Sequence, residues 1–157
     1  MHLTLVREME ETKVGGGSLA LWWLGQSGFA VKGAGLTIYL DPYLSTRLER
    51  LTADSPRTRH VRLCPIPLAP GTITNADYVV CSHGHGDHLD PETLGPLAAS
   101  SPGARFVVPR ASVAGLVSLG LEPGRIITLT GDDTVDLGGI QLRGVPGKHN
   151  EFDWRSE

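Results

Sequence analysis

The chain has 157 residues, 40% of them apolar, and a formal net charge of −3. This length fits one domain with its own core, and the acidic balance provides no basic field for nucleic-acid binding. No apolar run is long enough to cross a bilayer, and the first residues do not resemble a secretory signal. Without such a signal, Cys64 and Cys81 are predicted to be reduced thiols of a soluble, cytoplasmic protein.

The N-terminal residues 1–18 form a charged segment that ends in a glycine run. Gly15 to Gly17 are expected to act as a flexible joint. The remaining residues, 19–157, are expected to form one structural unit. That unit begins with three short β-rich runs separated by glycine, a pattern that predicts a strand meander over residues 19–25, 29–33 and 36–42.

The stretch 45–74 has no periodicity and contains five of the chain's 14 lysine and arginine residues. It is therefore locally basic in an acidic protein. One interpretation is a solvated surface loop. The other is a flap that receives an anionic substrate, because guanidinium groups bind phosphate and carboxylate well. The arginines are Arg47, Arg50, Arg57, Arg59 and Arg62.

Alternating strand and helix patterns follow this stretch. Asp90 is a good N-cap and Pro91 suits a first helical position, so a helix is expected over 91–100, interrupted near Pro96. A second helix is expected over 112–120. Strands are expected over 77–82, 104–109 and 125–130, and a hairpin over 134–147. The order predicts an α/β (α+β) domain with a mixed sheet and helices on one face.

Half of the chain's six histidines lie within residues 83–88, directly after a predicted strand. In an extended chain, alternate residues of this motif project to one side, and its glycines permit close approach. A turn into the following helix would bring the last histidine back to the same centre. Imidazole and carboxylate groups are ligands for Zn²⁺, Mn²⁺ or Fe²⁺. The predicted ligands are His83, His85, Asp87 and His88.

The motif His-x-His-x-Asp-His after a hydrophobic strand resembles the signature of the metallo-β-lactamase superfamily. The stretches WLGQSGF and DPYLS are similar to its branch of L-ascorbate-6-phosphate lactonase-like, metal-dependent hydrolases, and the similarity extends from Leu19 to about His149. This resemblance implies an αββα sandwich with one or two divalent ions at the edge of the sheets. It implies that His83, His85 and His149 bind the first ion.

The same resemblance places Asp87 and His88 on the second ion. It also implies that Asp41 orients a ligand from behind, although an aspartate that initiates a turn before proline is an alternative. Relatives complete the site with a bridging aspartate and a last histidine, and both are missing here. We therefore expect residues 19–157 to be the N-terminal half of such a domain, with the second half largely missing. An apolar sheet face should be exposed and could pair in a homo-oligomer.

For function, the resemblance implies a metal-dependent hydrolase in which metal-bound hydroxide opens an ester or lactone bond. Asp87 and His88 are the expected catalytic residues. The expected partner is a small anionic substrate such as a sugar-phosphate lactone. Two alternatives stay open at this point: a phosphodiester hydrolase of the RNA-processing type, and a metal-binding fragment without catalytic activity.

Overall fold

The computed structural model describes residues 2–145 and 147. Its four helices and eight strands, in chain order, are as follows. They are α1 (His2–Glu11), β1 (Ala20–Gly25), β2 (Gly28–Gly33), β3 (Leu36–Leu40), α2 (Arg47–Leu51), β4 (Tyr78–Val80), α3 (Pro91–Ser100), β5 (Arg105–Val108), α4 (Val113–Ser118), β6 (Ile126–Thr128), β7 (Thr134–Asp136) and β8 (Gln141–Arg143). Within these described residues, no helix combines the length and apolarity that a membrane span requires.

Six strands form one mixed sheet in the order β1-β2-β3-β4-β5-β6. The first three strands are antiparallel, and β3 to β6 are parallel. The predicted meander is thus confirmed. Ala34 and Gly35 join β2 to β3 with positive φ angles of 50° and 79°, as a two-residue hairpin turn requires. Because β3 to β6 are parallel, their carboxyl ends meet at one edge of the sheet.

The main core lies between one face of this sheet and the helices. Met9 of α1, Leu94 of α3 and Leu116 of α4 are fully buried in the same cluster as Tyr39 and Phe106 of the sheet. Each buried side chain of this size contributes about 1.5–3 kcal/mol to folding. All three helices therefore share one face, as the order of elements predicts.

Helix α1 was not predicted, because charged residues obscure its apolar spacing. Met9 is fully buried, and Val6 is also buried on the same helix. The Lys32 ammonium donates hydrogen bonds to the carbonyl oxygens of Met9 and Glu10, at 2.6 and 2.9 Å. The N-terminal segment is therefore packed onto the strand β2 that contains Lys32.

The opposite face of the sheet is covered in part by the β7–β8 hairpin, whose Leu137 is buried against Ile38 and Val107. The hairpin itself was predicted. Farther along this face, Leu21 and Trp23 of β1 are each 61% exposed. This matches the expected exposed apolar face.

Helix α3 corrects one expectation. It begins at Pro91 after the Asp90 cap, as predicted, but it continues through Pro96 without interruption. Proline removes one helical hydrogen bond and costs about 3 kcal/mol within a helix. Leu94 and Leu97, on either side of Pro96, are fully buried, and their packing offsets this cost.

The basic stretch 45–74 also differs from a plain loop, since it contains α2 and a 3₁₀ turn at Pro70–Thr72. Gln26 Nε2 and His60 Nε2 lie 2.8 Å apart and join the stretch to the turn between β1 and β2. Cys64, which is half-buried, and the buried Cys81 are both free cysteines.

Candidate metal centre

The candidate site lies at the carboxyl ends of the parallel strands β3, β4 and β5. Asp41 directly follows β3, and its N–H donates to Val80 O of β4 at 2.8 Å. Cys81 directly follows β4, and its N–H donates to Val107 O of β5 at 3.0 Å. Backbone pairing therefore sets the start of the histidine loop, 82–88, beside Asp41.

The histidine loop turns back on itself. The N–H groups of His88 and Leu89 both donate to His85 O, at 3.0 and 2.7 Å. The ring centroids of His83 and His85 are consequently 4.6 Å apart, and those of His83 and His88 are 4.0 Å apart. The three imidazole rings therefore lie close together.

The carboxylate of Asp41 contacts two residues of this loop. Its Oδ1 accepts a hydrogen bond from Ser82 N at 2.7 Å, and its Oδ2 lies 3.0 Å from His88 Nδ1. Asp41 has a φ of 42°, in the left-handed region that aspartate tolerates better than most residues. These contacts favour an orienting role over the simple turn-initiating alternative, because both carboxylate oxygens are directed at the histidine loop.

The Asp41–His88 pair shifts the titration of both groups. Burial raises the pKa of Asp41, but hydrogen bonds from His88 and Ser82 outweigh burial and hold the pKa below its usual value. Burial lowers the pKa of His88, but the hydrogen bond and charge of Asp41 outweigh it and raise the pKa above its usual value. With Nδ1 directed at Asp41, Nε2 of His88 is oriented toward Asp87.

His83 is shifted in the opposite direction. Burial, followed by the positive charges of His88 and His85, lowers the pKa of His83. Ser82 Oγ lies 3.0 Å from His83 Nδ1 and 3.3 Å from His88 Nδ1, so this hydroxyl lies between the two rings. A lowered pKa keeps the imidazole neutral, which is the form that binds a metal ion.

The donor chemistry suits a divalent cation, but the described residues do not close a coordination set. Asp87 Oδ2 is 3.7 Å from His88 Nε2, so a carboxylate joins the imidazole cluster. Within residues 2–145 and 147, no group of three or more His, Cys, Asp or Glu side chains is arranged to hold a metal ion. His149, the third predicted ligand of the first ion, lies outside the described residues. The ligand roles of the five residues stay predictions.

A cleft of about 890 Å³ adjoins His83 and His85 at this edge of the sheet. Its wall is mainly apolar, with Val107 and Leu129 from the strand ends, and Arg143 of β8 adds a positive charge. Carboxyl ends of parallel strands are the usual location of ligand sites in open α/β sheets. Ser82 was missed as a site residue because a lone serine before the histidine motif has no distinctive pattern.

Residues 20–156 match the family described as beta-lactamase superfamily domain. The chain belongs to this family. Among the curated relatives of this beta-lactamase superfamily domain is the probable L-ascorbate-6-phosphate lactonase UlaG of Salmonella heidelberg strain SL476, at 25% identity over 157 residues. The alignment covers 90% of the chain and 44% of that relative. The chain thus spans less than half the length of the curated relatives that it matches.

CmlA and Igni18 are two examples of solved structures that share the fold of this beta-lactamase superfamily domain. CmlA, a diiron beta-hydroxylase from Streptomyces venezuelae, superposes with a TM-score of 0.60 and 19% identity, over 92% of this chain and 26% of CmlA. Igni18, a metallo hydrolase from Ignicoccus hospitalis, gives a TM-score of 0.55 and 20% identity, over 87% of this chain and 52% of Igni18. The predicted metallo-β-lactamase-like fold class is therefore confirmed.

Proposed function

We propose that the chain is the ligand-bearing part of a metal-dependent hydrolase that opens the ester or lactone bond of a small anionic substrate. The observation that supports this proposal is the convergence of His83, His85 and His88 beside Asp87, with Asp41 directed at His88 from behind. The name of the UlaG relative, a probable lactonase of a phosphorylated sugar acid, supports a sugar-phosphate lactone as substrate.

The residues would divide between two cation positions. His83, His85 and His149 would hold one divalent ion, and Asp87 and His88 would hold a second. The nitrogen and oxygen donors suit Zn²⁺, Mn²⁺ or Fe²⁺. Such a cation, when bound, supplies Lewis-acid chemistry and lowers the pKa of a water molecule.

The chain's own residues orient these groups and move protons. Asp41 holds His88 in one ring orientation through the 3.0 Å contact at Nδ1. Asp87, whose side chain is 29% exposed, can accept the proton of an attacking water at Oδ2. The wall of the cleft beside His83 is mainly apolar.

The decisive experiment compares His85→Ala with His60→Ala. Both variants remove one imidazole, but His60 lies in the basic stretch and contacts Gln26 rather than the candidate site. Metal content and hydrolysis of a phosphorylated sugar lactone are measured with Zn²⁺ and Mn²⁺. We expect His85→Ala to lose metal-dependent hydrolysis and His60→Ala to retain it. Unchanged hydrolysis in His85→Ala refutes the mechanism.

A second candidate is a metal-binding portion that requires further chain for catalysis. It is favoured by the coverage of only 44% of the UlaG relative. In that case the chain binds one or two equivalents of metal and hydrolyses no lactone, and His85→Ala reduces the metal content alone.

A further inference from the structure

The five arginines of the basic stretch differ in what their guanidinium groups contact. Arg62 donates to the carbonyl oxygens of Tyr43, Cys64 and Leu24, at 2.6, 2.9 and 3.1 Å. Arg50 pairs with Glu92 at the start of α3. These two guanidinium groups are therefore already occupied by structural contacts.

Arg47 is different, because it is half-buried and lies against the histidine loop. A Cβ atom placed on Gly86, between His85 and Asp87, would lie 3.4 Å from Arg47 Nη1. Within the part of the chain that the structure describes, the Arg47 guanidinium makes no ion pair or hydrogen bond. Arg57 and Arg59, by contrast, are exposed to solvent.

The backbone holds Arg47 in this position. Its N–H donates to Ser45 Oγ at 3.1 Å, and the N–H of Leu48 donates to Tyr43 Oη at 3.1 Å. Both acceptor residues are buried, so the start of α2 is tied to the core. Leu48 also packs on the histidine loop, since its Cδ2 would lie 3.0 Å from a Cβ on Gly86. The backbone that carries the Arg47 side chain is therefore held in place beside the histidine loop.

We propose that Arg47 recognises the oxyanion group, phosphate or carboxylate, of the substrate beside the histidine loop. A partly desolvated cation without a partner is unfavourable, and a divalent ion on the neighbouring loop would repel it. An oxyanion placed between them compensates both positive charges, and guanidinium binds it in a bidentate manner. This inference rests on the proposed function, because it takes the histidine loop to be the cation site.

The test measures binding rather than turnover. Inorganic phosphate and acetate are titrated calorimetrically into the Zn²⁺-loaded 157-residue chain, its R47Q and R47K variants, and R57Q as an exposed control from the same stretch. We expect R47Q to weaken oxyanion binding about tenfold or more, because a charge-assisted hydrogen bond is lost. R47K should retain part of the affinity, and R57Q should match the wild type. Thermal melting confirms that each variant is folded.

The two titrations identify the source of the oxyanion. A loss for phosphate alone assigns Arg47 to a phosphate ester, and a loss for acetate assigns it to a carboxylate. Equal affinities of R47Q and wild type for both anions, or no binding by the wild type, overturn the proposal. Failure of the proposed function is separate, since it appears as unchanged hydrolysis in His85→Ala. The difference in oxyanion affinity between R47Q and the wild type can also be measured with the metal-free chain.

Discussion

The contact between Asp41 and His88 offers the sharpest test of the site. Asp41→Asn removes the negative charge but keeps a residue type that tolerates the observed φ of 42°. The carboxylate has two partners, Ser82 N at 2.7 Å and His88 Nδ1 at 3.0 Å. The asparagine oxygen can still accept from Ser82, so the main loss is one charge-assisted contact to His88. Such a contact contributes about 1.5–3 kcal/mol.

The pH dependence of this loss follows from the two pKa shifts. The pKa of Asp41 is lowered from 3.8, so its contribution is present above that value and is lost as the pH falls through the folded pKa. The pKa of His88 is raised from 6.5, so its contribution is complete below that value and is lost as the pH rises through the folded pKa. The pair therefore stabilises the fold most between these two values.

Urea unfolding of the metal-free protein, in chelator, measures this effect at about pH 5.5 and about pH 9. We expect Asp41→Asn to lose about 2 kcal/mol at the lower pH and clearly less at the higher. Asp132→Asn is the matched control, because Asp132 also has a positive φ, of 65°, but forms only an exposed ion pair with Arg143. It should lose less than about 1 kcal/mol. Equal losses for Asp41→Asn at both pH values would refute the reasoning.

Three further predictions concern the support of the site and its surroundings. Gly86→Ala should destabilise by about 1 kcal/mol, because its Cβ would meet side chains of α2 at 3.0 and 3.4 Å. Gly124→Ala is the control, because nothing lies within 4 Å of its added Cβ and the position is exposed; it should change stability by less than about 0.5 kcal/mol in the same urea assay. Asp90→Ala should lower the free energy of unfolding by about 2 kcal/mol, since it removes the N-cap of α3 and a buried acceptor. Asp90→Asn retains a capping side chain and should lose less stability; a loss equal to that of Asp90→Ala would contradict the capping role. Leu21→Lys with Trp23→Lys should lower self-association in sedimentation velocity, because both side chains are 61% exposed on one sheet face; an unchanged sedimentation coefficient would contradict a role for that face.

The sequence predicted those features that depend on neighbouring residues. The glycine-separated strands, the Asp90 cap with Pro91, and the closing hairpin all have local signals, and the structure contains them. The compact spacing of 83–88 likewise predicts convergence of its histidines, since the turn at His85 needs only the residues within the loop. Local patterns succeeded here because the contacts that determine these elements span few residues.

Where local signals conflicted, packing decided the outcome. Pro96 is a helix breaker by its own chemistry, yet α3 continues because the buried Leu94 and Leu97 hold both sides. Helix α1 contains many charged residues. Its apolar side can be identified only from its packing onto β2, where Lys32 Nζ donates to the carbonyl oxygen of Met9. Propensity alone could not rank these effects, because burial of apolar surface occurs only in the assembled core.

In the candidate site, the sequence alone predicted the ligand types, at His83, His85, Asp87 and His88, and placed these four residues together after a strand. Only the tertiary structure decided which oxygen faces His88, which hydroxyl lies between the rings, and which arginine faces the histidine loop rather than backbone carbonyls. Asp41, Ser82 and Arg47 acquire these positions through parallel strand pairing and the docking of α2. The physical reason is that a residue's chemistry is local, whereas its partner, burial and pKa depend on chain segments far apart in sequence.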